Sequence, residues 1–338
     1  MAVVISGTGL FTPAQSISND ELVECFNQYV EKFNQTHSQE IADGKVVALS
    51  PSDSGFIEKA SGIKSRYVMA KEDILNVDVM APRFTERSNE QLSMQAEIGV
   101  EAAKEAMKAA NKTPEDIDLI IVACAYTQRS YPAMAIEIQK ALGCGGWGFD
   151  MLVACSAATF GIINAANAIR SGTAKTVLVI NPEILSPQIN YRDRDSHFIF
   201  GDVATASIIE DESTASGEHV FKIISEQPIT NFSNNIRSNI GYMNNCSPEN
   251  VDDVDKYFIQ QGRKVFKEVL PMVSNLITTQ MVKMGLGADD IKRLYLHQAN
   301  INMNNFIAKK VLGRDPTSNE APIILDEYAN TSSAGCII

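Results

Sequence analysis

The chain has 338 residues, 45% of them hydrophobic and 21% charged, an ordinary globular composition long enough for one large domain or two medium ones. A net charge of −12 and a pI of about 4.9 argue against a nucleic-acid binder, which would carry a basic stripe. No apolar run reaches the roughly eighteen residues of a membrane span. The opening MAVVISGTGLF has no basic n-region and reads as a strand rather than a signal peptide, which points to a cytoplasmic protein.

Val3 to Gly7 reads as a buried strand, and Glu21 to Phe33 as a helix. Residues 34–55 are polar and read as an irregular insertion. Ser88 with Gln91 three residues later is a capping-box signal for a helix running to about Ala110. Asp118 to Ala123 (DLIIVA) is a continuous apolar run suited to a strand buried on both faces. Ala133 to Leu142 then reads as a helix, Gly148 to Val153 as a strand, and Ser156 to Ile169 as a helix ended by Gly172. Thr176 to Ile180 and Thr205 to Ile209 read as strands, and the strand–helix–strand order predicts parallel pairing. After a polar stretch over 231–255, Asp255 to Lys283 reads as a helix bent at Pro271. Arg293 to Leu296 is expected as a strand, Asn302 to Val311 as a helix and Pro322 to Leu325 as a strand. Two α/β halves, 1–212 and 213–338, are therefore expected in one compact unit.

The six cysteines (Cys25, Cys124, Cys144, Cys155, Cys246 and Cys336) are scattered without a CxxC pair, which argues against a zinc site or a disulfide framework. Cys155 stands out because it lies where a strand meets a helix. Unpaired N–H groups and the positive end of the helix dipole would lower its pKa there and make it a nucleophile. A buried structural cysteine is the competing reading, and it is the one adopted for Cys25 and Cys124. Of the four histidines, His37 and His219 lie in polar surroundings and His197 suggests no chemistry. His297 ends a predicted strand, where α/β sheets bind ligands, although a satisfied core histidine would look the same. Asn330 follows another predicted strand in an otherwise ordinary polar turn.

The order Cys155, His297, Asn330 fits a papain-like protease, but the local signature of that family around cysteine is absent and the βα rhythm is wrong for it. Val153–Ala154–Cys155–Ser156–Ala157, His297–Gln298–Ala299–Asn300 and Asn330–Thr331–Ser332 together resemble β-ketoacyl-ACP synthase III of the thiolase superfamily. Val4 to Phe11, Gly62–Ile63 with Arg66, and Phe200–Gly201–Asp202 are similar to further family segments, with Val203 replacing a family glycine. The resemblance runs from residue 2 to the C-terminus apart from 34–55. It implies a thiolase-like fold of two similar βαβ halves in α-β-α-β-α layers. Because the family continues beyond Ile338 with a helix, two strands and a glycine-rich loop, it also implies a longer natural protein lacking its C-terminal strands here.

The resemblance implies a decarboxylative Claisen condensation of an acyl-CoA primer with malonyl-ACP, in fatty acid biosynthesis, through an acyl-Cys155 intermediate. His297 and Asn330 would stabilise the enolate, with no metal or redox cofactor and coenzyme A and acyl-carrier thioesters as substrates. It further implies a homodimer. Arg194, Phe266, Ala299 and Asn300 match positions lining the coenzyme A and pantetheine tunnel, and Tyr131 matches an aromatic that crosses the dimer interface. Phe56 stands where a tryptophan usually stacks on adenine, while Ala60 and Asn302 replace arginines. These departures suggest a primer longer than acetyl. Arg263, Lys264 and Lys267 are the candidates for a substitute carrier-docking patch, with a solvated helix face as the alternative. A thiolase-fold acyltransferase that does not decarboxylate malonyl thioesters, or a non-enzymatic partner subunit, are the other functions this sequence admits.

Overall fold

The computed structural model describes residues 2–250 and 253–338; the expected polar stretch over 231–255 is therefore described except at 251 and 252, which lie outside the described residues. In chain order the elements are β1 (Val3–Phe11), β2 (Gln15–Ser18), α1 (Asn19–Thr36), α2 (Ser38–Ala42), α3 (Ser54–Ser61), β3 (Ser65–Val68), α4 (Lys71–Ile74) and α5 (Met94–Ala109). They continue with β4 (Leu119–Cys124), α6 (Met134–Leu142), β5 (Trp147–Leu152), α7 (Ala157–Arg170), β6 (Thr176–Glu183) and β7 (Val203–Asp211). After the short β8 (Phe221–Lys222), β9 (Ile236–Arg237) and β10 (Ile259–Gln260) come α8 (Gly262–Lys283), α9 (Ile301–Leu312) and α10 (Leu325–Tyr328).

The main sheet has six strands in the order β5-β4-β6-β7-β1-β8. Strand β4 pairs in parallel with β5 and β6, as the βα alternation requires, but β6 with β7 and β7 with β1 are antiparallel. The sheet is thus mixed, because the link from β6 to β7 holds no crossover helix. All of β4 and β6 is buried, with α5 and α6 on one face and α7 on the other. Helix α7 lies close to the sheet through Gly161, where an added Cβ would meet the Val179 side chain at 2.7 Å.

Several expectations are corrected. The segment 34–55 is not wholly irregular, since α1 runs to Thr36 and α2 follows. Gln91 Oε1 does accept from Ser88 N (2.9 Å), but this closes only a turn; Ser93 caps α5, its hydroxyl accepting from Ala96 N at 3.3 Å. Helix α8 begins at Gly262 rather than Asp255 and holds Pro271 inside it. Arg293–Leu296 and Pro322–Leu325 form no strand among the described residues, because no neighbouring strand pairs with them; Leu294 N donates only to Glu320 O at 2.7 Å. Gln298 instead links these segments, its Nε2 donating to Leu296 O and Pro322 O and its Oε1 accepting from Ile324 N.

Replacing Gly161 with valine is expected to force α7 off β6 and to destabilise the protein by about 1–3 kcal/mol, the usual cost of overpacking. The urea midpoint should fall, and an unchanged midpoint would refute the close-approach reading of this glycine.

Candidate active site

Cys155 follows β5 in a 3₁₀ turn, Ala154–Ser156, directly ahead of α7. Ala154 before it adopts φ +44°, a conformation that a non-glycine residue rarely takes. Asn330 is held from below by the Phe200–Gly201–Asp202 segment. Its backbone forms a parallel bridge with Phe200, its N–H donating to Ile199 O (3.0 Å) and its carbonyl accepting from Gly201 N (3.2 Å). A glycine is required at 201, since a Cβ there would come within 2.3 Å of Tyr328 O. The flanking Ala329 and Ser332 have φ +57° and +51°. Strained non-glycine backbone beside both Cys155 and Asn330 is a pattern found at functional sites.

Ser332 is the common neighbour of all three candidate residues. Its N–H donates to Asn330 Oδ1 at 2.9 Å, which leaves the Asn330 amide Nδ2 as the group free to donate. Its backbone lies against His297, and its hydroxyl lies within reach of the Cys155 thiol and the Glu183 carboxylate without a well-formed hydrogen bond to either. The structure therefore brings Cys155, His297 and Asn330 to one turn, although they are far apart in sequence.

Burial controls the charges. Desolvation pushes the Cys155 thiol up to about 11, against the relief offered by Ser332 and with the nearby Glu183 adding to the rise. The expected depression of this pKa is not what the fold produces: the cysteine lies in the turn before α7, and the cost of burying a thiolate outweighs the dipole there. Desolvation also lowers His297 to about 4, so its imidazole is neutral at pH 7, and its Nδ1 is buried without a hydrogen-bond partner. Glu183, fully buried at the end of β6, is raised to about 7 by desolvation.

Of the other candidate residues, Arg194 and Asn300 are both brought to α3, which carries Phe56 and Ala60, while Phe266 and Tyr131 make neither of these contacts. The Arg194 guanidinium lies 4.3 Å over the Phe56 ring, and its Nε donates to Pro51 O (2.8 Å). Asn300 caps α9 by accepting from Asn302 N (2.9 Å) and donates to Ala60 O (2.8 Å). Ala299 closes a tight turn on His297, its N–H donating to the His297 carbonyl. Phe266 packs against the α8–α9 core, while Tyr131 is 80% exposed. Arg263, Lys264 and Lys267 are exposed on α8 and make no ion pair among the described residues. His197 is a core residue stacked on Phe26 at 4.6 Å, and His37 stacks on Phe33 at 4.2 Å rather than standing free in solvent. Two signature residues brace the fold: Arg66, fully buried, donates to Ile17 O and Asn19 Oδ1, and Asp202 accepts from Met69 N, Leu185 N and the Ser186 N–H and hydroxyl. Sequence reasoning missed Glu183 and Ser332. The signal for the first was a glutamate closing an otherwise apolar strand, Thr176–Glu183.

One turn of a mixed α/β fold thus gathers a cysteine set between a strand and a helix, a neutral histidine and an asparagine. The family described as 3-oxoacyl-[acyl-carrier-protein] synthase III matches residues 149–226, and its C-terminal part matches residues 281–338. A β-ketodecanoyl-[acyl-carrier-protein] synthase of Pseudomonas aeruginosa is 52% identical over 316 residues, covering 94% of this chain and 90% of that protein. A β-ketoacyl-[acyl-carrier-protein] synthase III of Bartonella henselae is 29% identical over 335 residues, covering 98% and 87%. The solved 3-oxoacyl-(acyl carrier protein) synthase III of Pseudomonas aeruginosa superposes with a TM-score of 0.75 at 18% identity, covering 100% of this chain and 88% of that one. The synthase III of Aquifex aeolicus gives 0.72 at 24%, covering 99% and 88%. The fold is thus thiolase-like. The chain belongs to the 3-oxoacyl-[acyl-carrier-protein] synthase III family and is a condensing acyltransferase of fatty acid biosynthesis.

With its thiol at about 11, Cys155 holds little thiolate at neutral pH, and the thiolate fraction grows about tenfold per pH unit below that value. Alkylation of the Cys155 peptide by iodoacetamide should therefore accelerate about tenfold per unit from neutral pH upward. A rate already flat at pH 7 would show that the thiolate is stabilised after all.

Proposed function

We propose that Cys155 takes an acyl group from a coenzyme A thioester and passes it to a malonyl carrier thioester. The convergence of Cys155, His297 and Asn330 on Ser332 carries this reading. The Cys155 sulfur attacks the primer carbonyl, its S–C bond forms, and coenzyme A leaves as the thiol. Malonyl thioester then loses CO₂, and its carbonyl oxygen takes up the enolate charge. Neutral His297 and the Asn330 amide donate to that oxygen in a desolvated cleft, where such donors act most strongly. The enolate carbon attacks the acyl carbonyl, forming the C–C bond and returning Cys155. These steps call on protein groups and thioester substrates alone.

The first half, residues 1–212, supplies the nucleophile, and the second, 213–338, supplies His297 and Asn330. The stacked Phe56 and Arg194 offer a flat cationic surface for the nucleotide end of coenzyme A. Exposed Arg263, Lys264 and Lys267 offer a basic docking face for the acidic carrier. The free cysteines and the absence, among the described residues, of any helix long and apolar enough to cross a membrane support a cytoplasmic enzyme. The ten-carbon product named for the Pseudomonas aeruginosa relative, less the two carbons from malonate, points to an eight-carbon primer. The edge strand β5 exposes Trp147 and Leu152 beside Tyr131 and Ile136, which suits pairing with a second copy of the chain.

With malonyl-ACP and a series of acyl-CoA primers, kcat/KM should peak at eight carbons, and a peak at two would remove the medium-chain assignment. Cys155→Ala should abolish acyl loading. Asn330→Ala should slow CO₂ release from malonyl-ACP by roughly 10²-fold, and release at the normal rate would deny the donor role. In sedimentation equilibrium the chain should weigh twice its monomer mass, and charge placed at Trp147 and Leu152 should yield monomers; a wild-type monomer would exclude the β5 interface.

A further inference from the structure

Glu183 is a fully buried carboxylate that the condensation steps leave unused. It closes β6, the strand beside β4 in the centre of the sheet, and its hydrogen-bond partners lie just past the end of β4 and in the turn that bears Asn330. Oε1 accepts from both the Ser333 hydroxyl and the Ser333 N–H (3.3 Å to nitrogen), and Oε2 accepts from Ala125 N at 3.1 Å, just past the end of β4. Burying a carboxylate costs several kcal/mol unless its oxygens are hydrogen-bonded. A neutral residue in an all-buried strand would have cost far less if packing were the only purpose. The carboxylate thus spans from the central sheet to the turn that bears Asn330.

That turn needs an anchor. Ala329 and Ser332 both hold left-handed φ values, each costing on the order of 1–3 kcal/mol unless the surroundings over-determine them. Upstream, Asn330 is pinned by its backbone bridge to Phe200. Downstream, among the described residues, the only side-chain carboxylate bonded to the turn is that of Glu183, through Ser333. Between the two anchors, Ser332 N donates to Asn330 Oδ1 and sets which way the amide faces. Loosening the Ser333 anchor frees Ser332, and with it the orientation of the Asn330 Nδ2 donor.

We propose that Glu183 is a positioning residue for Asn330: by clasping Ser333 it locks the strained 329–333 turn so that the asparagine amide donates into the cleft beside Cys155. The inference rests on the reading of Asn330 as a donor in the condensation step. Glu183 touches no substrate atom and acts through Ser333, Ser332 and Asn330 in turn.

The test separates the two half-reactions in Glu183→Gln, Ser333→Ala, Asn330→Ala and the double variant Glu183→Gln/Asn330→Ala. Acyl loading is read by intact mass, and condensation by CO₂ release from malonyl-ACP on the preloaded enzyme. The ratio of condensation to loading should fall about tenfold or more in Glu183→Gln and in Ser333→Ala, since a small misplacement of a catalytic group costs up to about 10²-fold. The double variant should be no slower in condensation than Asn330→Ala alone, because both changes remove the same function. Ser333→Ala loses one hydroxyl only and serves if Glu183→Gln fails to fold. An unchanged ratio in both single variants would overturn the proposal while leaving Asn330's role intact. A parallel fall in loading and condensation, or a double variant slower than Asn330→Ala, would also overturn it. Normal condensation by Asn330→Ala would instead overturn the underlying reading.

Discussion

The site depends on a polar turn that the fold buries completely. Asn330, Thr331, Ser332 and Ser333 are all buried, and buried polar groups destabilise a protein unless they are hydrogen-bonded. Most of the turn's needs are met by groups from distant parts of the chain: Ile199 and Gly201 backbone on one side, Glu183 on the other. The sheet must therefore be complete before the turn is stable, since β6 delivers Glu183 and the segment entering β7 delivers the Phe200 bridge. The close backbone approach at Gly201 belongs to the same arrangement.

Part of what the fold leaves unsatisfied lies in and beside this turn. His297 Nδ1, Ser332 Oγ and Thr331 Oγ1 are buried without partners. A protein tolerates such groups where a ligand is to supply the missing bonds. Burial of the same region also decides the charge states, keeping the Cys155 thiol protonated and the His297 imidazole neutral. A neutral imidazole can still donate one hydrogen bond without placing a further charge in this buried region. A thiol that is hard to ionise gains nucleophilicity only as the pH rises.

Much of this was legible from residue patterns. The first-half elements β4, α6, β5 and α7 fall within a residue or two of expectation, because apolar runs and amphipathic repeats alternate cleanly there. Cys155 at a strand-to-helix junction and His297 beside Gln298–Ala299–Asn300 were visible as motifs, although only the fold brings them to Ser332. Pairing direction was not legible: nothing in Val203–Asp211 says that it runs against Thr176–Glu183, since direction depends on the path of the intervening chain. Leu294–Leu296 has a strand's apolarity, but a strand exists only with a paired neighbour. Asn300 caps α9, a use that any asparagine before a helix can serve and that does not bear on its expected place along a tunnel. Glu183 escaped notice because its importance lies in partners 58 and 150 residues away, at Ala125 and Ser333.

The central claim is that this cleft forms a covalent acyl intermediate on one particular cysteine out of six. The direct test is peptide-mapped mass spectrometry after mixing the folded protein with octanoyl-CoA in the absence of malonyl-ACP. The account predicts a single octanoyl adduct on the peptide containing Cys155, discharged when malonyl-ACP is added. An adduct on another cysteine such as Cys336, or none on a folded chain, would contradict it.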